Sequence, residues 1–175
     1  LSVVPSPWPG AGRRVYGSET QRAGLLSYFH RHLTTGKELW RKVMFDDGAD
    51  PIRHPFLNHF LALMDVPAEV FLDTMRLVFH EAALPEGRLC WRGVKVEPEA
   101  LVRTPLLTIE GEDDDIAAVG QTAAAHDLAR HLPASLRGRH VQPGVGHFGT
   151  FHGVAWRRDI VPLIVNFIAE HDGTA

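Results

Sequence analysis

The chain has 175 residues, 45% of them apolar and 22% charged, and carries a net charge of −3 at neutral pH. That is the make-up of one ordinary globular domain, and it excludes disordered or collagen-like chains and a strongly basic nucleic-acid binder. A single cysteine, Cys90, excludes an internal disulfide and a multi-cysteine zinc site. No apolar run approaches the ~20 residues of a membrane-spanning helix. The start, Leu1-Ser2-Val3-Val4-Pro5, has no basic region and is no signal peptide. It lacks an initiator Met, which leads us to expect a processed or excised chain.

Residues 1–18 read as irregular coil, because Pro5, Pro7 and Pro9 deny backbone donors and Gly10, Gly12 and Gly17 loosen the rest. Gly10-Ala11-Gly12 lacks the third glycine and the preceding strand of a dinucleotide fingerprint. Residues 19–100 read as a mostly helical region. Leu26, Phe29 and Leu33 recur at helical spacing until Gly36; Leu39, Trp40, Val43 and Met44 form a second short face. Asp50-Pro51 is a cap followed by proline at the first helical position, and Phe56, Leu57, Phe60, Leu61 and Met64 give that helix its apolar face. The pattern restarts after Asp65-Val66-Pro67 with Val70, Phe71, Thr74, Leu77 and Val78, and Pro85-Glu86-Gly87 ends it. Leu89 to Val96 suits a short hairpin turning at Arg92-Gly93.

The texture changes over residues 101–175. Leu106 to Glu110 is a short apolar run between Pro105 and Gly111, suited to a buried parallel strand. A helix is expected from about Ile116 to His131, a second strand at Arg139 to Gln142, and a last helix from about Val154 to Glu170. That helix would turn Trp156, Ile160, Leu163, Ile164, Phe167 and Ile168 inward, with Pro162 kinking it or delaying its start. Strand–helix–strand–helix is the signature of an α/β layer.

Two loops there carry chemistry. Gly111-Glu112-Asp113-Asp114-Asp115 follows the first strand, and Gly144-Val145-Gly146-His147-Phe148-Gly149 follows the second. Asp114 and His147 are 33 residues apart, the length of one right-handed crossover. Functional groups of α/β sheets collect at the carboxyl ends of strands, so the two loops should be neighbours. An acidic run is often only a helix cap, the role expected of Asp115, and a loop histidine is often merely solvated. Together and in this order, an acid and an imidazole form the orienter and base of a nucleophilic triad. Asp114 is the preferred acid, three residues past Gly111; Asp113 is the runner-up. The nucleophile is missing: none of Ser2, Ser6, Ser18, Ser27 and Ser135 lies in a Gly-x-Ser-x-Gly elbow, and Cys90 reads as a buried structural thiol. Among the eleven histidines, His30 and His32 are two apart, and His54 and His59, like His126 and His131, are five apart, not the four that stacks metal ligands on a helix face, and no His-Glu-x-x-His occurs at His80, so no metal site is expected.

The stretches Pro9 to Tyr16, Leu84-Pro85, Trp91-Arg92-Gly93, Thr104 to Gly111, Asp114-Asp115-Ile116, Val119 to Thr122, Ala125 to Leu128 and Gln142 to Gly149 resemble the C-terminal part of the intracellular polyhydroxyalkanoate (polyhydroxybutyrate) depolymerases. The resemblance implies the C-terminal portion of an α/β-hydrolase fold, its last two parallel strands with flanking helices, preceded by a helical cap over 19–100. It implies a bacterial, cytoplasmic hydrolase of polyester or small esters, acting at a storage-granule surface without metal or organic cofactor. Asp114 and His147 match the family's triad acid and base, and its Ser or Cys nucleophile belongs to an N-terminal half upstream of residue 1. The competing expectation is a truncated, non-catalytic homologue that binds polyester granules or a protein. Neither nucleic acid nor membrane insertion is expected. The free edge of the first strand leads us to expect self-association or docking on an N-terminal hydrolase half.

Overall fold

The computed structural model describes residues 1–35 and 62–173. The expected faces around Trp40, the helix start at Asp50-Pro51, and Phe56 and Phe60 lie outside the described residues. Contacts gather into two compact units, residues 1–35 with 62–96, and residues 97–173.

In the first unit the segment expected as coil is a small sheet. β1 (Ser2–Val3) pairs antiparallel with β2 (Arg14–Tyr16), and β3 (Val66–Pro67) pairs with the other edge of β2. The three prolines sit in the connecting loop, where no ladder needs their N–H, while Val4 N–H to Arg13 O at 2.9 Å continues the pairing. α1 (Ser18–Thr35) is tied down at its start: Asp65 Oδ1 accepts the Ser18 N–H at 2.7 Å, and Gln21 Nε2 donates to the carbonyls of Tyr16 and Met64. α2 (Ala68–Thr74) begins after Pro67, as the restart predicts, and runs on into a π-helical segment, Met75–His80. It is anchored by Ala68 and by Phe71, whose ring stacks on Tyr16 at 4.2 Å; Val70 and Val78, expected inward, are exposed. β4 (Cys90–Trp91) and β5 (Val94–Lys95) form the expected hairpin. Its two turn residues both have positive φ, 49° at Arg92 and 80° at Gly93, the twist a two-residue hairpin requires. All four strand residues are exposed, so Cys90 is a surface thiol, contrary to the buried role expected of it.

The second unit carries the two loops singled out in the sequence. β6 (Leu106–Gly111) and β7 (Arg137–Gln142) are parallel, in register from Leu106 opposite Arg137 to Gly111 opposite Gln142. Among the described residues no third strand joins them. Both strands match the sequence reading, but the burial does not follow the apolar letters. The most buried side chains of β6 are Thr108 and Glu110, and its leucines and isoleucine are half-buried. Thr108 Oγ1 lies 3.0 Å from Nε2 of the fully buried His126, and Glu110 Oε1 accepts the N–H groups of Gly120, Thr122 and Ala123 at 2.8–2.9 Å. That is why the helix expected over 116–131 shrinks to α3 (Ala125–Leu128). A buried carboxylate has captured the amides a helix would use, with Gly120 at φ 101° shaping the loop around it. Arg137 closes the far side, its guanidinium donating to the carbonyls of His126, Ala129, Arg130 and Leu132.

The C-terminal helix packs on the sheet through Ile160, which is completely buried, with Leu163, Ile164 and Phe167 half-buried; Ile168, expected inward, is exposed. It is continuous but changes pitch, from α4 (Gly153–Ala155) through a π segment, Trp156–Ile160, into α5 (Val161–His171). Pro162 explains the widened turns before it, since it offers no N–H and its ring crowds the carbonyl four residues back. Gly138 lets the helix approach: a Cβ there would lie 2.7 Å from Leu107 Cδ1 and 2.9 Å from the Phe167 ring. The described architecture is thus of mixed α/β type, helices with small sheets. No helix among the described residues is long and apolar enough to cross a membrane.

Candidate active site

The carboxyl ends of β6 and β7 hold the two predicted loops side by side. Four contacts stitch them. Glu112 N–H donates to Gln142 O at 3.0 Å, Asp113 N–H donates to Val145 O at 3.0 Å, and Glu112 Oε2 accepts the Gly144 N–H at 2.9 Å. The fourth joins His147 Nδ1 and Asp114 Oδ2 at 2.9 Å. Close approach depends on Gly111: a Cβ on it would lie 2.7 Å from Val145 O and 3.0 Å from Gly146 O.

The two oxygens of Asp114 have separate tasks. Oδ1 accepts the N–H groups of Ile116 at 2.9 Å and Ala117 at 2.7 Å, and Oδ2 faces the imidazole. The turn-capping role expected of Asp115 therefore belongs to Asp114 as well. Burial by itself would raise the Asp114 carboxyl. The Ala117 N–H, the His147 ring and the Ile116 N–H outweigh it and hold the group below the usual carboxylate range. An ionised carboxylate only accepts, so Nδ1 carries the imidazole proton, and Nε2 of the neutral ring is an acceptor. Nε2 has no hydrogen-bond partner among the described residues. The Asp114 side chain is 5% exposed and that of His147 30%, so the acid is sheltered while the ring is reachable. Thr150 Oγ1 donates to His147 O at 2.7 Å, fixing the backbone that carries the ring.

Of the two acids considered, the structure brings Asp114 rather than Asp113 to the imidazole. Ser135 does not approach it. Ser135 precedes the start of β7 and His147 follows its end, so a strand of about 17 Å stands between them. Glu112, Phe148 and Phe151 were not singled out by the sequence reading. Glu112 was visible only as one acid among four, and its clamp on Gly144 depends on tertiary contact. Phe148 and Phe151 set their rings edge-on to His147, with centroids 5.2 and 6.1 Å away. Their place directly after the histidine was the available signal. Among the described residues, no group of three or more His, Cys, Asp or Glu side chains is placed to hold a metal ion.

The site is a buried acid and an accessible imidazole, paired across the ends of adjacent parallel strands in an α/β unit. The family model described as PHB de-polymerase C-terminus matches residues 1–172, and the chain belongs to that family. No curated protein and no solved structure matches it.

Proposed function

We propose that this chain supplies the acid–base half of the triad of a polyhydroxyalkanoate depolymerase, a carboxylic ester hydrolase. The observation that carries the reading is the 2.9 Å contact between His147 Nδ1 and a sheltered Asp114, which leaves Nε2 as the reachable acceptor. In this reading residues 97–173 are the end of an α/β-hydrolase core and the helical stretch before them is its cap. A Ser or Cys nucleophile comes from outside these 175 residues, which contain no elbow motif. Nε2 takes the nucleophile's proton as it attacks the ester carbonyl, then returns it to the leaving alkoxide. Asp114 holds the tautomer and stabilises the imidazolium. Water then attacks the acyl-enzyme while Nε2 takes its proton, and Nε2 returns that proton to the nucleophile as the bond to it breaks and the acyl group leaves as a hydroxy acid. Backbone donors beside the nucleophile would hold the oxyanion. The setting is the bacterial cytoplasm at the surface of stored polyester. The edge of β6 that pairs with no strand among the described residues is where the rest of the sheet docks.

The test is hydrolysis of amorphous polyhydroxybutyrate by the full-length gene product, with His147→Ala beside the unchanged protein. Hydrolysis lost on substitution, with an unchanged melting temperature, supports the reading. Hydrolysis that survives His147→Ala overturns it. Ester hydrolysis by the 175-residue chain alone, abolished by His147→Ala, would instead place the nucleophile within the chain.

A further inference from the structure

One exposed aromatic residue beside the imidazole, Phe151, has no role in the acid–base pair. Phe151 is 65% exposed, yet its ring centroid lies 6.1 Å from that of His147 at an interplanar angle of 67°. Its position is held from behind. Its N–H donates to Phe148 O at 3.0 Å at the end of the 3-10 turn Phe148–Thr150, and Gly149, Thr150 and Gly153 around it are buried. The ring is presented on a fixed stretch of backbone. Leaving most of an aromatic ring in water forfeits most of the gain its burial would bring, and aromatic side chains dominate the energetics of the contacts that cover them.

We infer that Phe151 is a substrate-contacting, specificity-determining residue: its ring receives the aliphatic side chain of the hydroxyacyl unit being cleaved. This rests on His147 acting on esters as proposed above. An ester within proton-transfer reach of Nε2 has its carbonyl about 3–4 Å beyond the imidazole, allowing for the nucleophile between them. A substituent a few carbon atoms long on that carbonyl spans the 6.1 Å scale that separates the two rings. The occupant is an alkyl chain rather than a sugar or a charged group. Phe148 adds a second ring edge-on to the imidazole, and the loop holding Asp114 adds Ile116 and Val119, each about half exposed. Asp113 and Asp115, both exposed on that loop, disfavour an anionic ligand. The ligand is a neutral ester with an apolar branch.

The experiment is an NMR titration of the full-length gene product, its nucleophile replaced by alanine to stop turnover, with methyl 3-hydroxybutanoate, 3-hydroxyhexanoate and 3-hydroxyoctanoate, following the His147 Cε1–H resonance. The dissociation constant is expected to fall about twofold for each added methylene, half on a logarithmic scale of the roughly fourfold that full burial brings. Phe151→Ala should flatten that dependence, and Phe151→Leu should restore most of it, with thermal melts confirming that both variants fold. Absence of binding, or a chain-length dependence unchanged in Phe151→Ala, overturns the inference. Its failure is separable from that of the functional reading. If His147→Ala abolishes hydrolysis by the full-length product while Phe151→Ala leaves the titration unchanged, only the role of Phe151 is lost.

Discussion

Gly111→Ala is the substitution that most directly probes how the loops create the site. The backbone at Gly111 is not left-handed, so alanine brings no dihedral strain there. Its methyl group would instead meet two backbone oxygens, at 2.7 Å from Val145 and 3.0 Å from Gly146. Carbonyls cannot rotate away as a flexible side chain can. Restoring an ordinary 3.4 Å contact requires the loops to part by about 0.7 Å. The same displacement would stretch the bonds that now join Asp113 to Val145 at 3.0 Å and Asp114 to His147 at 2.9 Å past the limit of hydrogen bonding. Overpacking of this kind costs about 1–3 kcal/mol of stability. Misplacing a reacting group by about 1 Å can cost ~100-fold in rate. The assay is the downfield proton resonance of His147 Nδ1–H, read beside urea denaturation. Gly111→Ala should weaken or shift that resonance. Gly138→Ala serves as the control. Its methyl would press on the side chains of Leu107 and Phe167, lowering stability while leaving the Asp114–His147 resonance in place. An unshifted resonance in Gly111→Ala, with stability within about 0.5 kcal/mol of the unchanged chain, would refute the steric argument.

Three further outcomes follow from the same contacts. Asp114→Asn keeps an oxygen for the Ile116 and Ala117 amides but offers N–H to His147 Nδ1, imposing the other tautomer; kcat of the full-length product should fall by about 10⁴ with little change in melting temperature. Glu110→Ala leaves three part-buried amide groups without their acceptor and should cost about 1–3 kcal/mol in urea denaturation. Burial alone would raise the Glu110 carboxyl, but the amides of Ala123, Gly120 and Thr122 hold it below 4.5. Its contribution is therefore full above that value and fades as pH falls toward its depressed pKa, a trend Glu110→Gln should flatten. His126 behaves in the opposite chemical sense with the same outcome. Burial first, and then the charge of Arg139, hold its pKa below 6.5. The unfolded chain thus takes up a proton that the folded chain resists, and stability should drop as pH falls below 6.5, less so in His126→Gln.

The parallel strands, the Arg92-Gly93 hairpin, the restart after Pro67 and the Asp114–His147 pair were all legible in the sequence. Each rests on a local rule: an apolar run between Pro105 and Gly111, glycine in a two-residue turn, proline at a helix start, and one-crossover spacing. The misreadings have equally specific causes. The helix expected over 116–131 failed because Glu110, which alternation along the strand turns inward, claims the amides of Gly120, Thr122 and Ala123. Cys90 belongs to a residue type that is usually buried, but β4 and β5 are exposed on both faces. The short strands within 1–18 are masked in the sequence by the prolines of their connecting loop.

By itself the sequence determined which residue types stand at the ends of which strands, and hence that an acid and an imidazole would meet. Chain order and spacing suffice for that, because a parallel crossover has one hand and one direction. Only the tertiary structure decided which aspartate meets the imidazole, which oxygen it uses, and which ring nitrogen stays open. Those choices rest on fractions of an ångström between two loops. They are set by Gly111 under two carbonyls, by Glu112 clamped on Gly144, and by two amides seated on Asp114.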